Sequence, residues 1–409
     1  MEKLINCKLY KLNKKKTIFK IFSIPTFAQT KYYDFSSHYD FNYSEKKSND
    51  KKKLTKNERK ASYLNVENKH NNLINERPSD FNSNDYRVIV NVKSKWLKKA
   101  QKKFHKLIIE SLDNVPYLHS TVKKKSYATN AHEHLGEKYF LKLDLKNFFT
   151  YVEKSLVKSR LKYYLDIDGD VADFYSNMLT SAKDKPPYNE GVYNLGQGLP
   201  SSSILAYLCH KSLFDYLYQI CKINNVKMTI YVDDIGFSSD EPFTQEFIDR
   251  LFGLFKMNGL KISKKKFRYY AKEGTKKITG IFIKNGNPMV PSKKHEEIKY
   301  QYEFLLDIIE DMTSIDDYFR GYNLFLKFAG NVQHLISSEC TIDGSVNIKK
   351  PYLKYKNFID KFGKYFPRGK QKKNKNIIYN TLNVEPDVLK EFQLQFKKLS
   401  ELKKLGLLI

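Results

Sequence analysis

The sequence predicts an α+β protein, and three observations carry that reading. From Thr229 to Ser239 (TIYVDDIGFSS), β-branched and aromatic residues flank Asp233 and Asp234 on both sides, the pattern of strand, tight turn, strand. From Lys138 to Phe149 (KYFLKLDLKNFF), apolar and polar residues partly alternate up to Asp144, as in a half-buried strand with the acid near its end. Long stretches at helical spacing surround these two segments. With 409 residues and 41% hydrophobic content, the chain can bury a core and is expected to form two or three subdomains.

Taken in order, residues 1–40 are aromatic and lysine-rich and suggest no chemistry. Residues 41–85 are the most polar part, with KKSNDKKK at 46–53 and many asparagines, and read as a solvated loop or insertion. Arg87 to Val92 is followed by a helix from Lys93 to Leu112, on which Trp96, Leu97, Ala100, Phe104, Leu107 and Ile108 should face a core. Lys123, Lys124 and Lys125 read as a solvated turn. The loop Leu195 to Ala206 (LGQGLPSSSILA) leads into a helix carrying Leu205, Leu208, Leu213 and Leu217, with serines 201–203 suited to its start. In that loop Gly198 permits close backbone approach to a ligand, and Gln197 can hydrogen-bond in a template or nucleotide groove. Two further helices are expected over Tyr300–Met312 and Asp316–Ile336. Between Lys349 and Lys375 lie eleven Lys or Arg residues and one acid, interleaved with Tyr352, Tyr355, Phe358, Phe362, Tyr365 and Phe366. Cations with aromatics suit single-stranded nucleic acid, and an amphipathic helix with core aromatics and solvated lysines fits equally well.

The paired aspartates carry the chemistry. Two carboxylates on a rigid hairpin repel each other unless a divalent cation lies between them. Mg²⁺ prefers oxygen ligands and accepts one or two carboxylates beside substrate phosphates, which is what two-metal phosphoryl transfer needs. Asp144 supplies a third carboxylate from another element, although an aspartate after a strand also serves as a helix N-cap. His132 and His134 lack the cysteine or histidine spacing of a zinc site. The four cysteines form no close pairs, as expected of a reducing cytoplasm. The 73 Lys and Arg against 45 Asp and Glu give a net charge of +28, which a polyanionic partner would neutralise. Neither a signal peptide nor a bilayer-spanning run is evident, so no membrane partner is expected.

The order of these motifs resembles that of reverse transcriptases: an aspartate after a strand with two aromatics shortly beyond, a Gln-Gly loop, then Tyr-x-Asp-Asp. Asn130-Ala-His-Glu-His134 and Ile278-Thr-Gly280 are similar to elements of bacterial retron reverse transcriptases, and Gly259 to Lys266 looks like the motif that supplies a lysine near the departing pyrophosphate. The landmarks span roughly residues 86 to 295. Departures are Gly196 and Ser203 in place of prolines and Ser263 in place of an asparagine. Some antiphage defence-associated and abortive-infection reverse transcriptases share much of the pattern.

The resemblance implies a right-hand polymerase with fingers, an antiparallel-sheet palm and a helical thumb. It divides the chain into an N-terminal extension (1–85), fingers and palm (86–286), and thumb with a basic RNA-binding extension (287–409). Asp144, Asp233 and Asp234 would be catalytic and hold two Mg²⁺ ions, and Lys125, Phe149, Gln197 and Lys266 would meet the nucleotide. Phe149 would exclude a ribose 2′-OH. Asn130, His134, Lys349, Lys350, Lys354, Lys356, Arg368 and Lys370 would meet RNA. Expected partners are a cognate non-coding RNA as template and candidate primer, dNTPs, the DNA product, and an effector or toxin protein in antiphage defence; no oligomeric state is indicated. An RNA-dependent RNA polymerase, a template-independent or protein-primed DNA polymerase of the abortive-infection type, and a non-enzymatic RNA-binding palm scaffold stay open as alternatives.

Overall fold

A computed structural model describes residues 3–29, 33–45, 86–112, 115–182, 193–311, 313–339, 341–342, 345–346, 348–363 and 365, with isolated positions between 394 and 401. The described residues up to Asn287 form one compact unit and those from Pro288 onward another.

In the first unit, α1 (Lys15–Phe22) precedes β1 (Tyr39–Glu45), which pairs antiparallel with β2 (Tyr86–Val92) from Tyr39↔Val92 to Glu45↔Tyr86. The expected loop from residue 41 therefore begins as strand. Tyr39, Phe41 and Tyr43 are buried at alternate positions, and this period of two outweighs the polar composition around it. Helix α2 (Lys95–Ser111) buries Leu97, Ala100, Phe104, Leu107 and Ile108, while Trp96 is only half-buried. The short α3 (Tyr127–His132) starts at a capping box in which Ser126 and Thr129 satisfy each other's backbone N–H groups.

A four-stranded antiparallel sheet in the order β6-β7-β3-β8 organises the unit, with β3 Tyr139–Asp144, β6 Lys227–Tyr231, β7 Asp234–Ser239 and β8 Arg268–Tyr270. Helices α4 (Lys154–Leu165) and α5 (Gly169–Leu179) and the two-residue strands β4 (Ser181–Ala182) and β5 (Tyr193–Asn194) intervene between β3 and α6 (Ser202–Ile223). Leu141, Leu143, Ile235 and Phe237 share a core with Leu205, Leu208 and Phe214 of α6 and with Leu251 and Phe255 of α7 (Gln245–Met257). Phe140 points the other way, into a smaller cluster with Ala128 and Ala131 of α3 and with Ile278, Ile281 and Ile283. Those isoleucines come from the hairpin of β9 (Lys276–Ile278) and β10 (Ile281–Lys284), which is continued by β11 (Asn287–Met289). Both faces of β3 and β7 are thus covered, which explains why their sequences run apolar rather than strictly alternating.

The second unit is mainly helical: α8 (Ser292–Asp311), α9 (Ile315–Glu339), the short pair β12 (Thr341–Ile342) and β13 (Ser345–Val346), and α10 (Lys350–Phe362). The α10 aromatics Tyr355, Phe358 and Phe362 are buried with Leu305, Phe325 and Phe328. For these three rings the amphipathic-helix reading of the tail is the one the structure bears out. Among the described residues, no helix is long and apolar enough to cross a membrane.

Candidate active site

The β6–β7 hairpin closes through only two residues, Val232 and Asp233, since Tyr231 pairs with Asp234. Val232 adopts φ +59°, a left-handed conformation that a β-branched residue resists. Its N–H donates to Ser120 Oγ at 3.1 Å, and the Asp233 carbonyl accepts from Leu145 N–H at 3.0 Å. Beside it, residues 117–119 add to the free edge of β6, with Ile230 N–H donating to Tyr117 O and His119 N–H to Ile230 O. The turn is thereby clamped from two sides.

Asp144 ends β3 directly opposite Asp234, the first residue of β7. Like charges facing each other across a ladder destabilise it, and two lysines offset the repulsion. Lys266 Nζ donates to both Asp144 oxygens, at 2.7 and 2.9 Å, and Lys142 Nζ donates to Asp234 Oδ2 at 2.9 Å. Lys142 lies two residues before Asp144, so the strand period places both side chains on one face. Lys266 is brought in by the segment after α7, where Ile262 bridges Leu145 and Ser263 N–H donates to the Asp144 carbonyl at 2.8 Å. Burial raises the Asp144 carboxyl above the usual range against the pull of Lys266. Asp233 is likewise raised, first by burial and then by repulsion from Asp144 and Asp234.

A cavity of about 540 Å³ opens beside this tip, lined by Lys142, Asp234, Lys266, Arg268 and Lys277 together with Tyr231, Tyr270, Thr279 and Gly280. Four cations next to an acidic tip form a surface for phosphates. Among the described residues, no group of three His, Cys, Asp or Glu side chains stands ready as a metal cage. The donor chemistry nonetheless fits a hard divalent cation: the acids offer only oxygens, two of them are raised by burial, and the Lys266 ammonium already sits across both oxygens of Asp144.

The other residues singled out from sequence fall in several places. Phe149 is half-buried just beyond Asp144, its ring 5.8 Å from that of Phe148. The Gln197 side chain is exposed, while its carbonyl accepts from Val90 N–H at 2.7 Å. Gly198, at φ +109°, lies so close to β2 that an added Cβ would stand 2.6 Å from the Val90 carbonyl oxygen. The close approach expected toward a ligand is therefore made to the protein's own strand. Lys125 Nζ donates to the Val115 and Pro116 carbonyls. Lys349 pairs with Glu339 and Lys356 with Asp360; Lys350 is exposed, and Lys354 lies over the rings of Tyr302 and Tyr355. Arg368 and Lys370 lie outside the described residues.

Two expected RNA contacts are corrected. His134 is fully buried, its ring nitrogens 2.7 Å from Ser238 Oγ and Thr229 Oγ1, and burial pushes its pKa down to about 3. It ties α3 to β6 and β7 behind the acidic tip. Asn130 is buried on α3 as well, so neither side chain can reach RNA. Lys142, Ser120, Arg268 and Lys277 were missed. For Lys142 the signal was available, two residues before an acid on a strand.

The model of the family described as "Reverse transcriptase (RNA-dependent DNA polymerase)" matches residues 68–300, more than half of the chain. The chain belongs to the reverse transcriptase family. The fold class is α+β, that of right-hand polymerases with fingers, an antiparallel-sheet palm and a helical thumb. The chain's likeness is to retron-type members. It is 28% identical over 196 residues to the retron Mx65 reverse transcriptase of Myxococcus xanthus, covering 46% of each chain. It is 26% identical over 242 residues to the retron Ec83 reverse transcriptase of Escherichia coli, covering 55% of this chain and 74% of that one. The match thus spans about half the length of the Mx65 enzyme. Among solved structures, telomerase from Candida albicans is similar with a TM-score of 0.38 and 9% identity, over 78% of this chain and 62% of that one.

Proposed function

We propose that the protein is an RNA-directed DNA polymerase that copies a cognate structured non-coding RNA into DNA with two Mg²⁺ ions, in the cytoplasm and in antiphage defence. The observation that carries the chemical part is Asp144 facing Asp234 at the ends of paired strands, with Asp233 in the adjoining turn and Asp234 lining a cavity that also holds four cations. The likeness to retron reverse transcriptases supports the RNA template; the effector partner and the defence role extend the resemblance of the sequence motifs.

Asp144 and Asp233 would hold the metal ions, with Asp234 supporting their charge and geometry. Bound there, the ions lower the pKa of a primer hydroxyl and neutralise the triphosphate. Lys142 keeps Asp234 oriented along the strand face. Lys266, half exposed, can transfer its hydrogen bonds from Asp144 to a phosphate and so neutralise the departing pyrophosphate. Arg268 and Lys277 extend the phosphate surface, and the Phe149 ring would stand beside the nucleotide sugar. Fixed charges of this kind make up most of the catalysis in phosphoryl transfer.

The test is Asp233→Ala combined with Asp234→Ala. Incorporation of dNTPs on a primed RNA template should vanish, while RNA affinity stays within a few-fold because the binding charge lies elsewhere. Incorporation that survives the double substitution rejects this site.

A further inference from the structure

Residues 1–40 suggested no chemistry, and those from Phe27 to His38 precede the segment matched by the family model. In the fold Phe27, Tyr33 and His38 meet the start of α2 at Trp96. The exposed ring of Phe27, 60% accessible, stands edge-on to Trp96 at 6.2 Å. Tyr33 and His38 complete the aromatic group, with His38 edge-on to Trp96 at 5.3 Å and stacked on Tyr33 at 5.7 Å. Next to it lies a cavity of about 710 Å³, lined by Phe22, Ser23, Ser94, Trp96 and the lysines 95, 99 and 103. That volume falls within the usual range of ligand pockets, about 300–1,000 Å³.

Two independent features give this cavity a ligand chemistry. Lys95, Lys99 and Lys103 recur every four residues, about 6 Å apart along the helix axis, so they form one row. All three are exposed, the helix has no acid before Glu110, and none of the three has an ion pair among the described residues. Like charges at this spacing weaken a helix, and a polyanion laid along the row removes the cost. The second feature is the exposed aromatic edge, since a large ring left in water beside a cationic row suits a base and its phosphate together.

We propose that this cavity binds an unpaired stretch of RNA, with a base stacked on the exposed ring beside it, Phe27, its edge toward Trp96, and successive phosphates along Lys95, Lys99 and Lys103. The inference rests on the reading that the chain works on RNA and adds a site built partly from the N-terminal segment. A duplex cannot use it, because its bases are already stacked on one another.

Trp96 is the only tryptophan in the chain, so its fluorescence reports on this cavity alone. The probe is a single-stranded RNA 12-mer of mixed sequence, titrated into the full chain alongside a duplex of equal length. Saturable quenching by the single strand and much weaker quenching by the duplex is the expected result. Phe27→Ser should weaken the midpoint about tenfold. Changing Lys95, Lys99 and Lys103 together to Gln should flatten the logarithmic salt slope by about 2, at about 0.7 per lost phosphate contact. All four positions are exposed, and an unchanged far-ultraviolet circular dichroism spectrum and thermal midpoint of the free variants check that they fold. Absence of quenching in wild type, equal quenching by duplex, or quenching only by vesicles of anionic phospholipid or by an acidic peptide would each overturn the proposal. Primer extension measured on the same preparation separates the two readings. Extension without quenching rejects this site alone, whereas quenching without extension rejects the polymerase reading and leaves the site standing.

Discussion

Lys142 and Asp234 meet at 2.9 Å on the face of the sheet that also presents Asp144, and this contact lets two opposed carboxylates share one strand end. Lys142→Met should lower kcat for dNTP incorporation by about tenfold or more, roughly 1.4 kcal/mol of transition-state stabilisation, with Lys142→Arg restoring most of it. Equal rates for Lys142→Met and wild type would mean that the pair is ornamental. Phe149 is tested by sugar selection. Its half-buried ring should bar a 2′-hydroxyl, so Phe149→Ala should shift the dNTP to rNTP ratio of kcat/KM by about tenfold toward rNTPs. A wild type that uses both sugars alike would instead favour RNA polymerase chemistry. At this scale the three aspartates were legible because their spacing around strands and a turn is itself the signal. His134 and Asn130 were misplaced because a short motif says nothing about burial, and only the packing of α3 against β6 and β7 decides it.

Elements were legible where periodicity is strong and hidden where composition misleads. The helix after β2 and the hairpin bearing the acids follow their patterns closely. Strand β1 was concealed by the polar residues between Tyr39, Phe41 and Tyr43. The glycine-flanked loop before α6 was read as ligand-facing, yet Gly196 and Gly198 are required by contact with β2. A Cβ on Gly196 would stand 2.6 Å from Val90 Cγ2, and one on Gly198 would meet the Val90 carbonyl at the same distance. Gly198→Ala should therefore lower the thermal midpoint of the first unit and cost about 1–3 kcal/mol, whereas Gly253→Ala, on open helix surface, should not. A calorimetric scan comparing the two variants with wild type decides it, and equal midpoints would show that the loop yields freely.

Over the whole molecule, the net charge of +28 pointed to a polyanionic partner, but charge alone could not say which cations are structural. Lys349 is tied to Glu339, and α10 closes the core of the second unit with Tyr355, Phe358 and Phe362. Removing residues 349–409 should for that reason abolish the thermal transition of the second unit rather than merely weaken RNA binding. Changing Lys350 and Lys354 to Gln should keep the transition and reduce the logarithmic salt slope of RNA binding by about 1.4. Calorimetry beside binding across a salt series separates these outcomes, and a truncated chain that retains both transitions would show that α10 is dispensable to the core.

The strand pairing of Asp144 with Asp234 also bears on how such a gene can diverge. Because side chains alternate faces, losing the Leu143 codon would turn the preceding residues of β3 over together, carrying Phe140 and Lys142, which share a face, to the side of the main core and Leu141 away from it. Substitutions, by contrast, can accumulate wherever size and polarity are kept. Lineages carrying this palm should therefore differ freely in spelling and hardly at all in the length of β3 and β7, with additions and losses gathering in the connections instead.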